Sequence, residues 1–193
     1  MDGHGRASYI PPERRQGFDY WKVLECTHDY QNSEYYDSDD PDIKIWPGYD
    51  AFAQTDDACV YINEHSKKPF FLFLSLGPPH FPHHNAPKEF QEMFSPEAIT
   101  FSPNVVFEDS ELEAFTRQEA AGYYAHIAAL DQCVGGSGWG AKGKRFRKKY
   151  HSHFYLRSRR YVGFSQQEAI YETNLLGRIL PRTLSVALSC IHF

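Results

Sequence analysis

Apolar positions along the chain of 193 residues follow three patterns. From Asp50 to His65 they recur at helical spacing. Phe52, Cys59 and Ile62 share one side with Thr55 between them, and Asp56, Asp57 and Glu64 are left wet. A helix is predicted there, with Asp50 as its candidate N-cap and Lys67-Lys68-Pro69 as its stop. Phe70 to Leu76 is apolar on both alternating faces, which predicts a buried strand of an α/β sheet. Glu111 to Val134 returns to the helical period, with Tyr123, Ile127, Leu130 and Val134 as one stripe. Residues 1–48 have little periodicity and read as a long loop region with short strands. Trp21 to Cys26 is the clearest of these strands, and turns fall at Ser38-Asp39-Asp40-Pro41 and Trp46-Pro47-Gly48. Helix, buried strand, loop and helix in that order give an α/β fold class.

Charge divides this picture in two. The formal net charge is -5, but residues 1–136 hold 9 Lys+Arg against 23 Asp+Glu, whereas residues 137–193 hold 11 against 2. The boundary lies at the glycine-rich stretch Gly135-Gly136-Ser137-Gly138-Trp139-Gly140. The domain expectation is therefore a folded acidic part, 1–135, and a poorly ordered basic tail, 136–193. No apolar run approaches the roughly 20 residues of a membrane span. No basic-then-apolar leader follows Met1. Cys26, Cys59, Cys133 and Cys190 form no C-x-x-C pair, so neither a zinc ribbon nor a disulfide scaffold is indicated.

The candidate chemistry lies in Gly77-Pro78-Pro79-His80-Phe81-Pro82-His83-His84, because ligands gather at the carboxyl ends of strands in open α/β sheets. His80, His83 and His84 could form a zinc, copper or iron site, although Pro82 breaks the helical face that would make them converge. Alternatively His83 and His84 are surface residues, and the prolines around His80 aim its imidazole into a pocket as an anion donor or general acid. Asp56-Asp57 reads as a solvated helix face. Asp37, Asp39, Asp40 and Asp42 lack the glycine and terminal glutamate of an EF-hand loop. No G-x-S-x-G elbow is present.

Several strings, in order, resemble the sulfatases of the alkaline-phosphatase-like superfamily. They are Asp2-Gly3-His4-Gly5-Arg6, Pro11-Pro12-Glu13-Arg14-Arg15-Gln16-Gly17-Phe18-Asp19, Lys68-Pro69 with the run to Leu76, Pro78-Pro79-His80-Phe81-Pro82, and Tyr123-Tyr124-Ala125-His126-Ile127-Ala128-Ala129-Leu130-Asp131. The resemblance covers about residues 1–135 and implies a partial domain, an incomplete central sheet with flanking helices. It further implies hydrolysis of sulfate esters, of small molecules or sulfated carbohydrates. A cysteine or serine in C/S-x-P-x-R becomes formylglycine and attacks sulfur, while calcium held by Asp pairs polarises the sulfate. The family's sulfate-contacting histidine after a central strand corresponds to His80, as catalytic and substrate-binding residue.

Departures from the pattern shape the expectation. No C/S-x-P-x-R string occurs in the chain, the N-terminal Asp pair is absent, and no residue is assigned to the metal. The chain is expected to be an interior fragment without activity of its own, begun where the family's G-K-W-H element should just have ended. Residues Lys148 to Ser165 have synonymous codons that, read one nucleotide later, spell I-V-I-F-T-S-D-H-G within a longer string like the family's metal-binding strand. A frameshift near Gly136 is thus the account of the tail, preferred over a nucleic-acid-binding arm with interleaved Tyr and Phe, so that nucleic acid is not an expected partner. For the whole chain, a non-catalytic binding remnant and a His-based metal-dependent hydrolase are the alternatives. The compartment is left open, since complete relatives are often secreted or periplasmic.

Overall fold

The structure is a computed structural model that describes residues 7–24 and 27–135. It is a mixed α/β fold with a small, incomplete sheet and flanking helices. The chain forms two compact units, the first ending at Gly77 and the second beginning at Pro78. Both readings of the basic tail fall outside the described residues. No described helix is long and apolar enough to cross a membrane.

In the first unit, β1 (Lys22–Val23), β2 (Glu34–Asp37) and β3 (Asp40–Ile45) form an antiparallel sheet in that order. Lys22 pairs with Asp37, and Glu34 pairs with Ile45. The β2–β3 turn falls at Ser38-Asp39, as the sequence indicates, with Ser38 at φ 54. Lys44 braces this hairpin by reaching Asp37 at 3.3 Å and Asp40 at 3.1 Å. Tyr30, Tyr36, Trp46 and Tyr49 are buried, and the Tyr35 ring stacks on Trp46 at 4.0 Å. The strand expected over Trp21 to Cys26 is realised as Lys22–Val23 among the described residues.

Helix α1 runs Asp50–His65, the predicted bounds. Its N-cap is Tyr49, not Asp50. The Asp50 amide donates to the Tyr30 carbonyl at 2.8 Å, which draws Asp50 inside the helix and leaves it 1% exposed. Nor is Asp57 a wet residue: it accepts from Lys22 and from the Tyr20 hydroxyl, the latter at 2.7 Å. Two groups 35 and 37 residues away thus claim a position that helical periodicity assigns to solvent.

Phe70 to Leu76 is not a hydrogen-bonded strand. Its exposure still alternates, with Phe71 at 73% and Phe73 at 45% against Leu76 at 3%. A two-faced apolar run becomes a central strand only when neighbours supply ladder partners and cover both faces. Among the described residues it joins no strand ladder.

The second unit contains a short 3₁₀ turn at His83–Asn85, α2 (Lys88–Gln91), a second turn at Pro96–Ala98 and the long α3 (Ser110–Gly135). The Asp109 carboxylate accepts from the Leu112 amide at 2.7 Å and so satisfies one open donor of the first turn. The predicted stripe is displaced around the helix. Of its four members only Leu130 is buried, and the packed face is Ala121, Gly122, Ala125, His126, Ala129 and Cys133. Small residues let another segment approach closely, so this face follows backbone proximity more than hydropathy.

Candidate functional site

The histidine loop occupies the start of the second unit. His80 lies in a bend just after the Phe70–Leu76 run and is half-buried. Its Nδ1 is 2.8 Å from the Phe81 carbonyl oxygen. A carbonyl only accepts, so Nδ1–H donates, and Nε2 is the lone-pair nitrogen of the neutral ring.

The loop does not bring the three histidines together. His84 is exposed, as one sequence reading has it. His83 is not a surface residue: it is buried, and its Nδ1–H donates to the Glu119 carboxylate at 2.8 Å. Its ring meets Phe81 and Tyr123 edge-on, at 5.9 and 5.6 Å between centroids. Among the described residues no three His, Cys, Asp or Glu side chains converge to hold a metal ion. The three-histidine metal centre therefore lacks its geometry. Asp37, Asp39 and Asp40 are likewise engaged by the chain's own cations, Lys44 and Arg15.

Helix α3 supplies residues that sequence reading missed. His126 is fully buried, and its Nε2 lies 3.3 Å from the Pro82 carbonyl. Burial, with smaller contributions from the neighbouring His83 and His84, holds the His126 imidazole down to about 4. Gly122 lies between Glu119 and His126 on the same side, and a Cβ there would fall 2.5 Å from the His83 carbonyl oxygen. Positions 119, 122 and 126 recur at helical spacing, and that spacing is the signal that could have found them.

A second polar centre stands in the first unit. Arg15 is 4% exposed and donates to the Ile10 carbonyl at 3.1 Å, Asp39 at 2.8 Å, the Tyr9 hydroxyl at 3.0 Å and the Ser38 carbonyl. Its guanidinium also lies over the Tyr9 and Trp21 rings. With four of its five N–H donors engaged by the protein, this arginine is a scaffold for the loop and hairpin.

The family model for sulfatases matches residues 3–136. The chain belongs to the sulfatase family. Over 137 residues it is 47% identical to an ulvan-active sulfatase of Formosa agariphila, a match covering 70% of this chain and 26% of that protein. It is 24% identical over 141 residues to an endo-4-O-sulfatase of Bacteroides thetaiotaomicron, covering 66% of this chain and 26% of the relative. The crystal structure of yidJ from Bacteroides fragilis, described as a sulfatase, superposes with a TM-score of 0.63 at 24% identity. It covers 74% of this chain and 32% of that one, a likeness of fold. The chain thus spans about a quarter of the length of the curated sulfatases it matches. All the strings that carry the resemblance, His80 among them, lie at residues 2–131, and all but Asp2 fall inside the matched segment.

Proposed function

We propose that this chain forms part of the substrate-side wall of a sulfuric-ester hydrolase, with His80 as the residue that addresses the sulfate. The observation that carries the reading is the family match over 3–136 with the P-P-H-F-P string inside it. The substrate class that fits is a sulfated polysaccharide, in keeping with the ulvan-active relative. The reaction is cleavage of R–O–SO₃⁻ by water to the alcohol and hydrogen sulfate.

Charge on the transferring group is what such a site must stabilise. With Nδ1–H held by the Phe81 carbonyl, the imidazole meets the anion through Nε2. It donates there only when the ring is cationic.

Calcium and formylglycine are the family's cofactors by resemblance. The described residues offer no three-ligand seat for calcium, and the sequence holds no C/S-x-P-x-R string. The chain's own part in the chemistry is therefore binding and orientation, without turnover.

The test combines two assays on the chain. A chromogenic aryl sulfate should release no chromophore above blank. Sulfated ulvan oligosaccharides should bind saturably, and His80→Ala should weaken that binding several-fold. Turnover above blank would overturn the absence of catalysis, and binding indifferent to His80→Ala would overturn the assignment of His80.

A further inference from the structure

His80 addresses its surroundings from a loop with little regular structure, yet an imidazole that contacts an anion must be held in one direction. The structure contains a continuous path that can do this. The His80 Nδ1–H donates to the Phe81 carbonyl, and the Phe81 ring stands edge-on against His83. His83 in turn donates to Glu119 at 2.8 Å, with both side chains nearly buried. Two further anchors act on the same backbone. His126 Nε2 reaches the Pro82 carbonyl, and Gly122 leaves room for the His83 carbonyl. Glu119, Gly122 and His126 occupy successive turns of one side of α3, so one rigid helix grips residues 82 and 83 at three points.

Stability alone is a poor account of the Glu119–His83 pair. A buried ionisable pair replaced by well-packed apolar groups is often no less stable, and the better-attested use of such pairs is to fix one arrangement. Hydrogen bonds are directional where apolar packing is not, and a ring fixed at Nδ1 cannot rotate without breaking its bond.

We propose that Glu119 is a positioning residue: through its hydrogen bond to buried His83 it fixes the Phe81 backbone and with it the direction and tautomer of the His80 imidazole. The functional consequence rests on the reading of His80 as the sulfate-contacting residue. The geometric link between Glu119 and His80 stands apart from it.

Ring-nitrogen chemical shifts of the ¹⁵N-labelled chain test the link, with helix content followed by circular dichroism. In the parent chain His80 should show the Nδ1–H form, and inorganic sulfate should shift its resonances. In Glu119→Ala the Nδ1–H pattern of His80 should be lost while the helix signal is kept. Glu119→Gln, which still accepts a hydrogen bond, should restore the pattern; exposed His84 should be unmoved in every variant. If Glu119→Ala does not fold, His83→Phe serves in its place, since it keeps a ring between Phe81 and Tyr123 but removes Nδ1. An unchanged His80 pattern in the folded Glu119→Ala or His83→Phe chain overturns the proposal. If that pattern changes as expected but sulfate never shifts His80 in the parent chain, the positioning link holds and the sulfate reading fails.

Discussion

In the unit that ends at Gly77, two charged side chains, buried Arg15 and half-buried Asp57, each take more than one partner. In the unit that begins at Pro78, two imidazoles are buried, His83 and His126, and Gly122 lies against the His83 backbone. Arg15 spreads four hydrogen bonds over the loop and hairpin, and Lys22, Tyr20 and Asp57 tie β1 to α1. The histidine loop contributes buried His83, and α3 meets the loop with one carboxylate, one buried imidazole and a glycine. The first arrangement tolerates irregular backbone, because long side chains reach to wherever an acceptor lies. The second depends on close approach, because imidazoles are short and a few tenths of an ångström decide whether they bond.

The largest expected effect sits in the first unit. Arg15→Ala should cost about 3–5 kcal/mol, since it strips donors from several acceptors at a buried site. Asp39→Asn should cost less than about 1 kcal/mol, because the Asp39 side chain is 78% exposed. Urea unfolding of both variants measures the gap. Equal losses would show that the ion pair, and not the backbone acceptors, holds the loop.

The next effect separates the units by pH. His126 is held down to about 4 in the fold, mainly by burial. Between about 6.5 and 4 the unfolded chain takes a proton there and the folded chain does not, so its contribution is lost as pH falls. Asp50 behaves oppositely. Burial pushes its carboxyl up to about 7, so between about 3.9 and 7 the folded chain holds a proton that the unfolded chain releases, and stability is lost as pH rises. Hydrogen exchange should show α3 weakening on acidification and α1 weakening on the approach to neutrality, by on the order of 2–3 kcal/mol each. Asp50→Asn should abolish the second slope and leave the first. Slopes of one sign in both units would break the comparison.

Smaller is Gly122→Ala. Helix propensity favours alanine by about 1 kcal/mol, but the added Cβ would meet backbone 2.5 Å away. Overpacking should win, with a net loss of about 1–3 kcal/mol and a lower melting temperature. A raised melting temperature would mean that the loop gives way without cost. Smallest is His84→Ala, expected to stay within about 0.5 kcal/mol because the side chain is exposed.

The same contrast decides what the sequence could reveal. Helix α1 was legible to the residue, since its periodicity and the Lys67-Lys68-Pro69 stop are local. The Ser38-Asp39 turn was legible from turn chemistry. The family was legible from ordered strings spread across the matched segment. The ladder state of Phe70 to Leu76 was not, because a run apolar on both faces says what it needs and not whether neighbours are present to supply it. Asp57 and His83 were misread for another reason: their partners lie 35 or more residues away, and nothing local distinguishes a paired carboxylate or imidazole from a solvated one. The role of Arg15 required the hairpin turn to come within reach, which only the fold provides.

The most direct measurement is an exchange of segments. The aligned part of the ulvan-active sulfatase would be replaced by residues 3–136 of this chain, and turnover of ulvan oligosaccharides followed with and without His80→Ala. The account predicts an active chimaera whose kcat/KM falls by about 10²–10³ when His80 is removed. A folded chimaera without activity, or one whose activity ignores His80→Ala, would contradict it.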